Sequence, residues 1–212
     1  MKLNSIIAAA VLTVGSMGAA EAAVYNYSFG GANANFGADE YFAGVGGAPG
    51  VTVAAYASGL LNNVAELTRS AGGLGVKGSP DTQPWEIDGN PVGSNEWVTL
   101  TFDWAVNLLS FTLNNTEGDT CVLFLCGGGD QYDVSINGGS WVNGLTASAL
   151  NPVGVNYVTS IGIRASGSFI GDLDDFKLAG VQVASVPLPA GGLLLGGGLG
   201  ALALLRRKRK TA

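Results

Sequence analysis

Histidine is absent from this sequence of 212 residues. Its absence removes the side chain that most often acts as a general base near neutral pH, together with Ser-His-Asp triads, Cys-His pairs and the commonest transition-metal ligand. A pair of carboxylates, as in glycosidases, still remains as hydrolytic machinery. With 16 Asp and Glu residues in the chain, a bare pair carries no information. We therefore predict that the protein is not an enzyme, and a carboxylate glycosidase is the less favoured alternative.

Charged residues are also scarce, at 12% of the chain. Between residues 23 and 185, fifteen acidic side chains stand against four basic ones, which gives a net charge of −11. A surface of this sign repels nucleic acid and anionic lipid, so no nucleic-acid partner is expected. The 34 glycines form no phosphate-binding motif of the P-loop or dinucleotide type.

The first 22 residues have the parts of a secretory signal peptide. Lys2 gives a basic start, residues 6–14 form an apolar run, and Ala20-Glu21-Ala22 is an A-x-A cleavage site. The run of about ten apolar residues is too short to span a bilayer core of about 30 Å. The sequence therefore predicts export through the Sec pathway and cleavage after Ala22.

The other end of the chain carries an uncharged segment followed by a basic cluster. Residues 186–205 contain no charge, and as a helix rising about 1.5 Å per residue they match the thickness of the bilayer core. The cluster consists of Arg206, Arg207, Lys208, Arg209 and Lys210. By the positive-inside rule these cations act as a stop-transfer signal, so we predict a single membrane-spanning helix with its C-terminus in the cytoplasm.

Residues 186–212 resemble a known sorting signal. The order Val186-Pro187-Leu188-Pro189-Ala190, then the glycine- and leucine-rich span, then the basic end is similar to the VPLPA variant of the PEP-CTERM signal of Gram-negative bacteria. The resemblance implies processing by an exosortase, a membrane-embedded cysteine protease or transpeptidase that releases its substrate or transfers it to the cell surface. The two prolines keep the motif extended, which suits a protease. A plain membrane anchor is the alternative.

Cys121 and Cys126 are the two cysteines of the chain. Export would bring them into an oxidising compartment in which disulfides persist. Along one continuous strand they would lie about 16 Å apart, beyond the Cα limit of about 7 Å, so a bond requires residues 122–125 to turn back. We favour a loop closed by a disulfide, and two free buried thiols are the alternative.

The segment between the two ends alternates apolar and polar residues, which is typical of half-buried strands. Strands are predicted at residues 51–56, 98–104, 109–113, 132–136, 157–165 and 173–183. Asn137-Gly138-Gly139 predicts a hairpin turn. Residues 60–69 are ambiguous, because some of their apolar positions have helical spacing.

These strands and turns predict an all-β fold, either an antiparallel β-sandwich or a jelly roll. We place this domain at residues 23–178 and a linker of small and polar residues at 179–185. The signal peptide at 1–22 precedes the domain and the sorting signal at 186–212 follows it.

An acidic cluster spans residues 171–178 and resembles the last strand of carbohydrate-binding jelly rolls. In those proteins an acidic pair helps to hold a structural calcium ion, which makes Asp174 and Asp175 candidate ligands. Calcium takes six to eight oxygen ligands, so partners such as Asp88, Glu96 or Asp81 would have to converge on them. An acidic turn before an edge strand is the alternative.

The four tryptophans, Trp85, Trp97, Trp104 and Trp141, could form a face that stacks on sugars, but aromatic residues at alternating positions more often lie in the core. Trp104 continues the apolar face of the strand at 98–102 and is predicted to lie in the core, whereas Trp85 follows a polar loop and is predicted to be exposed. Taken together, the sequence predicts a cell-surface or extracellular-matrix protein with a structural or interaction role linked to exopolysaccharide or biofilm. A calcium-stabilised carbohydrate-binding module is the alternative.

Overall fold

A computed structural model describes residues 22–59, 65–78, 84–89, 94–114, 130–148, 150–166 and 174–186. The residues from Ala23 to Val186 belong to one compact unit. Several predicted features lie outside the described residues: the signal peptide up to residue 21, Cys121 and Cys126, residues 187–190 of the sorting motif, and the five cations at 206–210. In the described part of the chain, no helix is long and apolar enough to cross a membrane.

The described residues form twelve strands. They are β1 (Val24–Ser28), β2 (Ala34–Gly37), β3 (Asp39–Phe42), β4 (Val51–Gly59), β5 (Glu66–Ser70), β6 (Gly73–Lys77), β7 (Ile87–Asp88), β8 (Ser94–Asn114), β9 (Gln131–Ile136), β10 (Val142–Thr146), β11 (Asn151–Ala165) and β12 (Asp175–Ser185). Their antiparallel pairing makes one large sheet that does not close. The prediction of an all-β antiparallel fold is confirmed at this level.

The 21-residue strand β8 organises the sheet. Its first half pairs with β4 on one side and with the end of β11 on the other, and its second half pairs with β12 and the beginning of β11. Both halves send apolar side chains into a single core, which includes Leu100, Phe111 and Leu113 from β8 itself. One strand thus pairs with three others that line the core, β4, β11 and β12.

Two irregularities in β8 overturn parts of the predicted alternation. Trp104 is 51% exposed, so the prediction that it lies in the core is wrong. Thr101 pairs with Ser160 and Val106 with Val158, so four residues of β8 oppose one of β11 and Trp104 lies in that bulged stretch. Bulges of this kind re-aim the side chains that they contain.

A second bulge lies at Leu109. Ser110 pairs with Gln182 and Leu108 with Val183, which leaves Leu109 as an extra residue opposite β12. Leu108 is fully buried and Leu109 is only half-buried, because the extra residue shifts the alternation by one position. The predicted apolar face at 109–113 therefore holds for Phe111 and Leu113 and fails for Leu109.

The predicted hairpin turn is confirmed. Asn137 and Gly138 have φ values of 52° and 68°, and the amide of Gly139 donates to the carbonyl of Ile136 at 2.9 Å. Positive φ at both central residues is the type I′ geometry whose twist matches the flanking strands. The turn joins β9 to β10, which pair with each other.

The predicted linker at 179–185 is wrong, because these residues form most of β12, which pairs with β8 on one side and β1 on the other. Small side chains in this segment allow β12 and β1 to pack closely. A Cβ atom at Gly180 would collide with the carbonyl oxygen of Tyr27 on β1.

The segment at 60–69, which the sequence left ambiguous between helix and strand, is resolved in part. Residues 66–69 belong to strand β5, and residues 60–64 lie outside the described residues.

Candidate functional site

The predicted acidic residues come to neighbouring positions where β7 meets β12. Asp175 pairs directly with Asp88 across these two strands. The carbonyl of Asp174 accepts a hydrogen bond from the amide of Gly89 at 2.9 Å, and its Oδ1 accepts one from the amide of Gln131 at 2.8 Å. Asp174 is 2% exposed, so its carboxylate ties the start of β9 to the start of β12 from inside the fold.

Glu96 is fully buried on β8 and faces the same region. Its Oε1 accepts from the amide of Gly78 at 2.8 Å, and its Oε2 accepts from the amide of Asp88 at 3.3 Å. Charge-assisted bonds of this kind to backbone amides are stronger than neutral ones. Glu96 therefore fixes the end of β6 and strand β7 against β8.

These contacts give the acidic residues a structural task, and the calcium site remains a prediction. No three acidic side chains in the described ranges are arranged to hold a metal ion. Asp81, the further candidate ligand, lies outside the described residues.

A different set of side chains forms a row across four strands. In register, Tyr56 on β4 pairs with Trp97 on β8, Trp97 pairs with Arg164 on β11, and Arg164 pairs with Asp133 on β9. Directly opposite residues of antiparallel strands project to the same face of the sheet and contact one another. We call Tyr56, Trp97, Arg164 and Asp133 the cross-strand row.

The aromatic end of the row is a parallel stack. The rings of Tyr56 and Trp97 have centroids 5.3 Å apart and planes inclined by 9°. The other ring pairs in the described residues are tilted or meet edge to face. Tyr56 is 44% exposed, so the stack stands at the protein surface.

The polar end of the row is an ion pair under an aromatic cover. Nε of Arg164 lies 2.8 Å from Oδ2 of Asp133, whose side chain is 5% exposed. Oδ1 of Asp133 accepts from the amide of Gly144 at 2.8 Å. The guanidinium carbon of Arg164 lies 4.5 Å from the ring centroid of Trp141, within the range of a cation–π contact.

Two local features place Trp141 over the ion pair of Arg164 and Asp133. The type I′ turn returns the chain over β9, and Gly162 on β11 leaves space for the ring. A Cβ atom at Gly162 would lie 2.9 Å from Cη2 of Trp141. The turn and the glycine together let the indole cover the ion pair of Arg164 and Asp133.

A polar cavity of about 270 Å³ adjoins the row. It is lined by Asn95, Asp133, Asn143, Arg164, Ala165 and Ser166. Oδ1 of Asn95 is buried and has no hydrogen-bond partner among the described residues. Nη2 of Arg164 lies 3.4 Å from Oδ1 of Asn143, at the weak end of hydrogen bonding. The cavity is thus lined by amide and hydroxyl residues beside the paired charges of Arg164 and Asp133.

The amino-acid sequence does not reveal the row as a set. Trp97 gave a local signal, because it occupies the polar phase of the strand whose apolar phase is Val98 and Leu100. The partners of Trp97 lie far away along the chain, so spacing alone does not reveal them.

Trp85 lies outside the row. It is 36% exposed, which confirms the prediction of exposure.

Comparisons with protein-family models, with curated proteins and with solved structures find no match to this chain.

Proposed function

We propose that this is an exported cell-surface or extracellular-matrix protein that an exosortase processes at its C-terminal end. Its β-sheet body has a non-catalytic interaction role associated with exopolysaccharide. The proposal combines the sorting signal that residues 186–212 resemble with the surface row and polar cavity of the body. The signal peptide would deliver the chain to the membrane, and the basic end would hold it there until the motif is cut.

The observation that carries this proposal is the pairing of the two ends of the body. The amide of Ser185 donates to the carbonyl of Ala23 at 2.8 Å, and the amide of Ala23 donates to Oγ of Ser185 at 2.9 Å. Signal-peptide cleavage is predicted directly before Ala23, and the sorting motif begins directly after Ser185. Among the described residues, the first strand therefore begins beside the predicted signal-peptide cleavage position and the last strand ends beside the start of the sorting motif, as expected of a domain that outlasts the removal of both ends.

We also infer that the sheet folds into a β-sandwich or jelly roll. The two halves of β8 have different neighbours on one side, β4 for the first half and β12 for the second. Side chains from β4 and from β12 nevertheless belong to the same buried cluster, as they would if two layers faced each other.

Processing is tested by expressing the full chain in a Gram-negative host with an exosortase and in the same host without one. Intact mass spectrometry of the mature protein should show loss of the segment from Arg206 to Lys210 only where the exosortase is present. A Pro187→Ala/Pro189→Ala variant should be cut less, because its motif is no longer held extended. Pro152→Ala, at an exposed position in β11, is the matched control. A mature protein that keeps the basic end in the exosortase host would contradict the proposal.

A calcium-stabilised carbohydrate-binding module is the second candidate. The pairing of Asp88 with Asp175, next to the buried Asp174, favours it. Millimolar calcium should then raise the melting temperature relative to chelator, and Asp175→Asn should abolish the rise. Asp39→Asn, at an exposed position in β3, should leave the rise intact. Identical melting curves with calcium and with chelator would count against this candidate.

A further inference from the structure

We propose that the cross-strand row and its polar cavity bind a neutral glycosyl segment of a polysaccharide. A sugar ring stacks on the aromatic end, and hydroxyl groups enter the cavity beside Asn95 and Arg164. The inference rests on the proposed function, because it names the class of ligand that the exported body contacts.

The aromatic end suits the apolar face of a pyranose ring. One face of the Tyr56 ring lies against Trp97. Strand β3 pairs with β4 only at residues 51–54 of β4. No described strand therefore pairs with β4 at Tyr56 on the side away from Trp97. A rigid aromatic ring offers a large contact area at a low cost in conformational entropy. The C–H groups on one face of a sugar ring are the apolar complement of such a surface.

The cavity suits a hydroxyl group better than a charged group. Its lining includes the amide residues Asn95 and Asn143 and the hydroxyl residue Ser166. Amide and hydroxyl side chains offer donors and acceptors to a ligand whose hydroxyl groups also donate and accept. The geometry therefore calls for a ligand rich in neutral hydroxyls.

The charges of the site and of the whole body narrow the class of ligand further. Asp133 already neutralises Arg164 at 2.8 Å, so the cavity carries no net positive charge for an anion. The body as a whole carries fifteen acidic residues against four basic ones, which repels a polyanion. A neutral polysaccharide meets neither obstacle.

The distances across the cross-strand row favour an oligosaccharide segment over a single sugar ring. Tyr56 and Asp133 are three strand spacings apart, which is about 14 Å. Asn95 lies two residues before Trp97, which is about 7 Å along β8. A ligand that contacts both the aromatic stack and the cavity must therefore be extended.

Asn95 separates an effect on binding from an effect on stability. A buried acceptor without a partner destabilises the folded protein, so removing it is not expected to cost stability. Asn95→Ala should therefore leave the melting temperature unchanged or raise it while it weakens binding. Tyr56→Ala should lower affinity about tenfold through loss of the stacking surface.

The full chain is expressed in the Gram-negative host that carries an exosortase, and the exported protein is purified in the form that these cells accumulate. Affinity electrophoresis is run in gels that contain hydroxyethylcellulose, a galactomannan or polygalacturonate. At least one neutral polymer should retard the protein, Tyr56→Ala and Asn95→Ala should migrate faster in that gel, and polygalacturonate should have no effect. Trp104→Ala is the control, because Trp104 is an exposed aromatic residue outside the row.

Each contrary result is informative. Retardation by neither neutral polymer, equal retardation of all variants, or retardation by polygalacturonate alone would overturn the inference. The C-terminal mass of the same preparation separates this failure from that of the proposed function. Normal cleavage without binding refutes the sugar site only, whereas binding by an uncleaved protein refutes the sorting proposal only.

Discussion

Replacing Arg164 with methionine tests the polar end of the cross-strand row. Methionine keeps a long side chain under Trp141 but removes the charge. The carboxylate of Asp133, 5% exposed, would then keep only the amide of Gly144 as a partner among its present contacts. Removing one member of a fully buried ion pair costs about 3–5 kcal/mol. Arg164 is 31% exposed and partly screened by water, so we expect a loss of about 2–3 kcal/mol in the free energy of unfolding.

Urea denaturation followed by tryptophan fluorescence and circular dichroism measures this loss as a lower midpoint at an unchanged m-value. Adding Asp133→Asn to Arg164→Met should restore part of the stability. The amide side chain can still accept from Gly144, and it carries no charge that needs a buried partner. An Arg164→Met protein that unfolds at the parent's urea concentration would refute this reasoning, and so would a double variant less stable than the single one.

Three further predictions concern the scaffold. Gly75→Ala should cost about 3 kcal/mol by urea denaturation, because the new methyl group would collide with the backbone of Trp85. Gly138→Ala should cost about 1 kcal/mol in the same assay, since space is open there and only the φ of 68° is unfavourable; equal costs for these two variants would contradict both explanations. Burial, and then the nearby Tyr25 and Asp103, raise the pKa of Tyr27 to about 12 from 10.0. The unfolded chain therefore loses this proton first, and stability should fall between pH 10 and 12. Tyr27→Phe should flatten that fall in a pH series of melting temperatures, and an unchanged slope would argue against this assignment.

The parts of the fold that the sequence predicted correctly depend on local chemistry. Asn137 and Gly138 adopt positive φ easily, so their turn type is encoded in adjacent residues. The failures at Trp104 and Leu109 have a different origin. Each lies at a bulge, and a bulge is defined by the strand opposite, here β11 or β12. The alternation of β8 alone carries no information about where its partners skip a residue.

The wrong prediction of a linker at 179–185 has the same cause, because the role of a small residue depends on which strand lies beside it. Composition at 179–185 is typical of a flexible segment, yet Gly180 is small because β1 lies against it. The cross-strand row was hidden for a related reason. Its four members become neighbours only through three separate strand pairings, and one slip in any of them would move a side chain to the other face.

Adjacent residues of β8 connect the acidic cluster to the row. Successive side chains of a strand point to opposite faces, so Glu96 faces inward where Trp97 faces outward. Glu96 holds the amides of Gly78 and Asp88 and thereby fixes the part of β8 that carries Trp97. The buried carboxylate thus positions the aromatic stack whether or not calcium binds nearby. A strong effect of Glu96 substitutions on sugar binding would accordingly be no sign of a metal ligand.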